Sequence, residues 1–173
     1  MHARRTLEAH LGHERPPALP TGSPALTAVR ASFVTLRERS GGELRGCIGQ
    51  SEPRWPLVES VSQSVIASAT ADPRFTPVTA DELPGLTIEI SALDPLLPIE
   101  PRDIVLGRHG LMITGERGSA LLLPQVALAL GWNRREFLER LCEKAGLDQD
   151  AWTAQDLRLY GFEADTWEED SRE

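Results

Sequence analysis

The chain has 173 residues, 40% of them apolar, and 26 acidic against 18 basic side chains give a net charge of −8. That length suits a single domain whose core needs no disulfide or metal staple. The acidic balance argues against a general nucleic-acid binder, and no run approaches the roughly 18 apolar residues of a membrane span. Met1 to Arg5 carries charge without an apolar segment behind it, which predicts a cytoplasmic protein with no secretory signal. The two cysteines, Cys47 and Cys142, form no Cys-x-x-Cys pair and are expected to be free thiols.

In chain order, Leu7 and Leu11 predict a short N-terminal helix, and the proline- and glycine-rich stretch from Gly12 to Pro24 predicts a surface connector. Val29 to Leu36 alternates loosely through Val29, Ala31 and Phe33, turns at Ser40-Gly41-Gly42 and returns through Leu44 to Ile48, a β-hairpin. Leu57, Val61, Val65 and Ala69 recur every four residues, predicting a helix from Pro53 or Pro56 to about Ala71, ended by Asp72-Pro73. Thr79 to Leu83 reads as one turn capped by Thr79. Leu86 to Leu93 is the cleanest strand, with Leu86, Ile88, Ile90 and Ala92 on a core face and Thr87, Glu89 and Ser91 on a polar one. Leu111–Thr114 and Ala120–Leu123 predict a second hairpin, followed by a helix from about Pro124 to Leu130. A second helix, Arg134 to Ala145, points Phe137, Leu138, Leu141 and Cys142 inward before Gly146. Leu157 to Phe162 is a last strand, and the acidic tail from Glu163 is expected to fray. Hairpins and helices without regular βαβ alternation give an α+β class, with a mainly antiparallel sheet and flanking helices.

Leu44-Arg45-Gly46-Cys47-Ile48-Gly49 concentrates the chemistry. Gly46 and Gly49 let the backbone pass close to another strand or a ligand. On a regular strand Arg45 shares a face with Cys47, placing a cation where it lowers a thiol pKa. That makes Cys47 a candidate nucleophile, against a plain reading as a small residue on a crowded strand.

LRGCIG is followed by Asp72-Pro73-Arg74-Phe75, by Leu122-Leu123-Pro124-Gln125-Val126 and by Leu141-Cys142-Glu143-Lys144-Ala145-Gly146-Leu147. In that order, from about residue 26 to 162, these blocks closely resemble the AMMECR domain family, whose prokaryotic members are called AmmeMemoRadiSam system protein A. The resemblance implies one AMMECR domain with a larger and a smaller lobe meeting at a cleft. It also implies association with Memo-like and radical-SAM proteins, without fixing a reaction.

Other residues carry weaker signals. His109, on the turn Gly107-Arg108-His109-Gly110, is a candidate base for Cys47 or a turn histidine bonded to backbone. Asp72 and Arg74 are candidates to bind a ligand or to orient Arg45, against a plain reading in which Asp72 caps a turn and Arg74 pairs with a nearby carboxylate. Gln125, at a helix start, sits where backbone N–H groups can hold an anion or be capped. Lys144 suits a helix C-terminus. His10, His13 and Glu14 resemble a partial ligand set by accident, and no metal or cofactor is expected. Two readings remain: a ligand- or partner-binding component, or an enzyme using Cys47 activated by Arg45.

Overall fold

Leu7 and Leu11 face inward from helix α1 (His2–Leu11) in a computed structural model of the chain, which describes residues 1–169. No strand forms in the connector that follows, and a four-residue helix α2 (Pro24–Thr27) closes it. Strand β1 (Ser32–Glu38) pairs antiparallel with β2 (Leu44–Gly49) and, on its other side, with β3 (Leu86–Leu93). β1 starts later than its alternation suggested. Val34 and Leu36, with no exposed surface, make its core face, while Val29 is 56% exposed and bridges to Pro56.

Helix α3 (Leu57–Thr70) contributes Leu57, Val61, Val65 and Ala69 to the same core cluster as Val34, Leu36, Ile88 and Leu7. Ser60, Ser64 and Ser68, each one position before a core residue, are also buried. Buried hydroxyls need partners. Ser60 bonds the Ser32 hydroxyl at 2.8 Å, Ser64 donates to the Ser32 carbonyl at 3.4 Å, and Ser68 donates to the Val34 carbonyl at 2.7 Å. These bonds fix the helix along β1.

Residues 94–164 form a second compact unit; the first comprises residues 1–93 and the chain from Asp165. The second unit holds β4 (Leu97–Pro98), β5 (Gly110–Gly115), β6 (Gly118–Leu122) and β7 (Arg158–Phe162), in the order β4-β7-β5-β6 with every pair antiparallel. Helices α4 (Pro124–Ala129) and α5 (Arg134–Lys144) supply Ala127, Phe137, Leu138, Leu141 and Cys142 to its core, with Leu111 and Ile113 of β5. A capping box starts α5. The Asn133 side chain accepts from Glu136 N–H at 3.0 Å, and the Glu136 carboxylate accepts from Asn133 N–H at 2.8 Å. Lys144 at its end donates to the Leu121 carbonyl at 2.9 Å, tying the helix to β6.

Two sequence expectations need correction. The acidic end does not fray from Glu163: Ala164–Glu168 is strand β8, outermost in the order β2-β1-β3-β8. Glu169 N–H then donates to Ile88 O at 3.0 Å, and the Glu169 carboxylate pairs with Arg4 of α1. Residues 170–173 of that tail lie outside the described residues. Nor is the polar side of β3 open to solvent, since Thr87 and Ser91 are buried. β3 is an inner strand, and its hydroxyls bond its neighbours, Thr87 to the Arg37 carbonyl and Ser91 to Thr166 of β8, both at 3.5 Å. Among the described residues no helix is long and apolar enough to cross a membrane.

Candidate functional site

Both glycines of LRGCIG answer to packing. A Cβ on Gly46 would lie 2.1 Å from the Ser68 carbonyl oxygen, so only glycine lets the last turns of α3 rest on β2. A Cβ on Gly49 would lie 2.3 Å from the Ser32 carbonyl oxygen of the neighbouring strand β1. The close approach brings the Ser68 hydroxyl between strands. It accepts from Ile48 N–H at 2.9 Å and donates to the Val34 carbonyl. At both positions the space a side chain would need is taken by protein backbone.

Among the described residues β2 has a strand neighbour on one side only. Unpaired backbone groups on an outer strand invite other chains unless something covers them. Here the loop after α3 covers Cys47. Asp72 is 5% exposed, and one carboxylate oxygen accepts from Cys47 N–H at 2.9 Å and from the Arg74 guanidinium at 2.6 Å. The other oxygen accepts from Arg74 N–H at 3.1 Å and from Arg74 Nε at 2.9 Å. The same guanidinium reaches the Cys47 carbonyl at 3.4 Å. Asp72 and Arg74 thus act on Cys47 as an adjacent strand would, one accepting and one donating. The Arg74 side chain, its largest influence, holds the Asp72 carboxyl far below the usual carboxylate range, against the opposing effect of burial.

Arg45 does not serve the thiol as the sequence suggested. Pairing jumps from Leu36–Gly46 to Arg37–Leu44, which leaves Arg45 in a bulge where the two-residue alternation fails. Its guanidinium contacts Glu82 at 2.9 Å and donates to the Thr76 carbonyl at 2.9 Å. Glu82 also accepts from Thr79 N–H at 2.8 Å, which, with Arg45, lowers its carboxyl pKa. The Phe75 ring lies 5.9 Å from the Arg45 guanidinium and 5.4 Å from that of Arg74. Arg45 therefore fastens the loop from Asp72 to Glu82 onto β2.

The group that does address the sulfur is Thr35, a residue the sequence reading passed over. It lies opposite Cys47 on β1, is 4% exposed, and its hydroxyl donates to Cys47 Sγ at 3.4 Å. Glu89 of β3 is the register partner of Thr35 on the other side. Thiol, hydroxyl and carboxylate thus occupy one row across β2, β1 and β3, with Cys47 and Glu89 half-buried. A threonine opposite the thiol was the available sequence signal, but reading it needed the hairpin register.

His109 and Gln125 belong to the second unit. His109 Nδ1 accepts from Val105 N–H at 3.1 Å, closing the turn before β5. Gln125 is the second residue of the six-residue helix α4. Cys142 is fully buried on α5, and burial pushes its thiol pKa up despite a hydrogen bond from Trp152 N–H.

A model of the AMMECR1 family matches residues 1–167, a longer span than the motif blocks alone suggested. Protein MJ0810 of Methanocaldococcus jannaschii is 44% identical over 147 residues, covering 81% of this chain and 73% of that protein. Protein PH0010 of Pyrococcus horikoshii is 42% identical over 179 residues, covering 97% of this chain and 86% of its own length. The crystal structure of PH0010, titled as that of an uncharacterized protein, superposes with a TM-score of 0.92 over 98% of this chain and 88% of that one, at 40% identity.

Proposed function

This chain belongs to the AMMECR1 family, and from that premise we propose that it is a ligand- or partner-binding component acting beside Memo-like and radical-SAM proteins, with strand β2 as the binding element. One observation carries the reading. The Cys47 backbone is held by Asp72 and Arg74 while its side chain stays half-buried, so the strand offers a rigid frame with an accessible face. Arg45 and Arg74 are both spent on carboxylates of the protein itself, which favours a binding frame over an activated nucleophile. Titration calorimetry of the purified chain against a purified Memo-like protein and a purified radical-SAM protein tests this. We expect saturable binding to at least one, lost when Cys47 is blocked by iodoacetamide and the fold is verified by circular dichroism. If neither binds, the partner reading fails.

A second reading has Thr35 in its favour. Its hydroxyl donates to the sulfur and fixes the orientation in which the side chain is presented, so Cys47 also fits an enzyme that uses it as nucleophile or redox thiol. Rapid alkylation of Cys47 that slows when Thr35 loses its hydroxyl would support it.

A further inference from the structure

We propose that the second unit carries a separate binding site, for a small organic cation with an apolar body, in the hollow beside β4. The hollow measures about 600 Å³, within the size range of pockets that enclose small ligands. Leu97, Pro98, Ile99 and Phe162 give it an apolar lining, and Leu97 is 66% exposed, a large apolar side chain left facing water. Gly161 keeps the hollow's wall close to the strand: a Cβ there would lie 2.8 Å from Ile99 Cδ1.

The charge around this lining has one dominant sign. Asp94, Glu100, Asp103 and Glu163 all border the hollow and all are exposed. Two have cationic neighbours, Arg108 on Glu163 at 2.8 Å and Arg102 on Asp103 at 3.9 Å, and Glu100 has no ion pair among the described residues. Exposed pairs of this kind contribute little and exchange readily with solvent ions. An apolar body entering the hollow gains from burial whatever its charge. The carboxylates then decide the sign, attracting an ammonium or amidinium head and repelling a carboxylate. His109 also borders the hollow, and its ring is held in place by the Val105 N–H. That gives the histidine a setting which does not depend on Cys47.

The test is an amide-resolved NMR titration of the full chain with phenethylamine and, in parallel, with hydrocinnamate, which carries the same phenylethyl body on the opposite charge. Phenethylamine is expected to give saturable shifts centred on residues 97–100 and 161–163, with hydrocinnamate about tenfold weaker or more. Leu97→Asn and Glu100→Gln change exposed side chains and leave the fold intact, and each is expected to weaken phenethylamine by about threefold or more. Equal binding of the two compounds, shifts centred elsewhere, unaltered binding by both variants, or no saturable shift with the amine would each overturn the proposal.

Discussion

Cys142 sits on the inward stripe of α5, fully buried among Phe137, Leu138 and Leu141, whereas Cys47 sits half-buried on the outer strand of the other sheet with its backbone clasped by Asp72 and Arg74. Helical periodicity sends every third or fourth residue into the core, and a cysteine there behaves as a small apolar side chain. Alternation on an outer strand puts neighbouring side chains on opposite faces of the sheet. On β2 the side facing α3 is filled by Gly46 against Ser68, and the opposite side carries Cys47, beside Thr35 of β1. What separates the thiols is therefore the element each rides on, more than the charges written near it in sequence.

The largest effect expected is kinetic. With iodoacetamide at neutral pH and no denaturant, Cys47 should react about 1000-fold faster than Cys142, because Cys142 becomes reachable only when its unit opens. Mass spectrometry of the two cysteine peptides over time gives the ratio. Comparable rates would erase the contrast.

Next comes Gly46→Ala. The added methyl would meet the Ser68 carbonyl oxygen at 2.1 Å, a backbone atom that moves only if α3 lifts from β2. A loss of about 3 kcal/mol is expected from overpacking at such a contact, read from urea unfolding of the first unit. A loss below about 1 kcal/mol would mean the helix can shift freely, and the glycine would then need another explanation.

Parts of this were legible in advance for identifiable reasons. Leu86–Leu93 emerged with its final bounds because a period of two over eight residues has no helical competitor. The α5 helix was equally clear from its inward stripe, although the Asn133–Glu136 capping box at its start went unread. Gly46 announced a close approach, but its partner is Ser68, 22 positions away, and no local pattern identifies it. Arg45 misled because the two-residue rule assumes an unbroken strand, and the bulge is visible only in the register with β1. β8 was lost because acidic composition resembled a solvated tail, while the strand is made by pairing in the sheet and by the Arg4–Glu169 ion pair.

A smaller effect concerns Asp72. Its carboxyl titrates below the ordinary value of 3.8 in the folded protein, so on acidification the unfolded chain takes up this proton first. The stabilisation is complete above about pH 5 and is lost as pH falls through the ordinary value towards the folded one. Asp72→Asn keeps the shape but loses the charge facing Arg74 and one acceptor. It is expected to cost about 2 kcal/mol at neutral pH and to flatten the decline of stability between about pH 5 and pH 2. Urea midpoints at several pH values check both, and an unchanged acid slope would show that Arg74 does not hold the carboxylate.

The smallest and most specific effect is that of Thr35→Val. Valine keeps the volume and branching of threonine on β1, so stability should change by less than about 1 kcal/mol. What disappears is the hydroxyl donated to Cys47 Sγ at 3.4 Å, while Asp72, Arg74 and the backbone of β2 stay as they were. Losing a hydrogen bond of roughly 0.5–1 kcal/mol that holds the sulfur in one orientation should slow alkylation of Cys47 by about threefold at neutral pH, with Cys142 unaffected. Thr35→Ser, which restores a hydroxyl without the methyl, should recover most of the rate. Slowing in valine together with recovery in serine would assign the effect to the hydrogen bond itself and strengthen the nucleophile reading of Cys47. Equal rates in all three proteins would leave Thr35 a packing residue and β2 a binding frame.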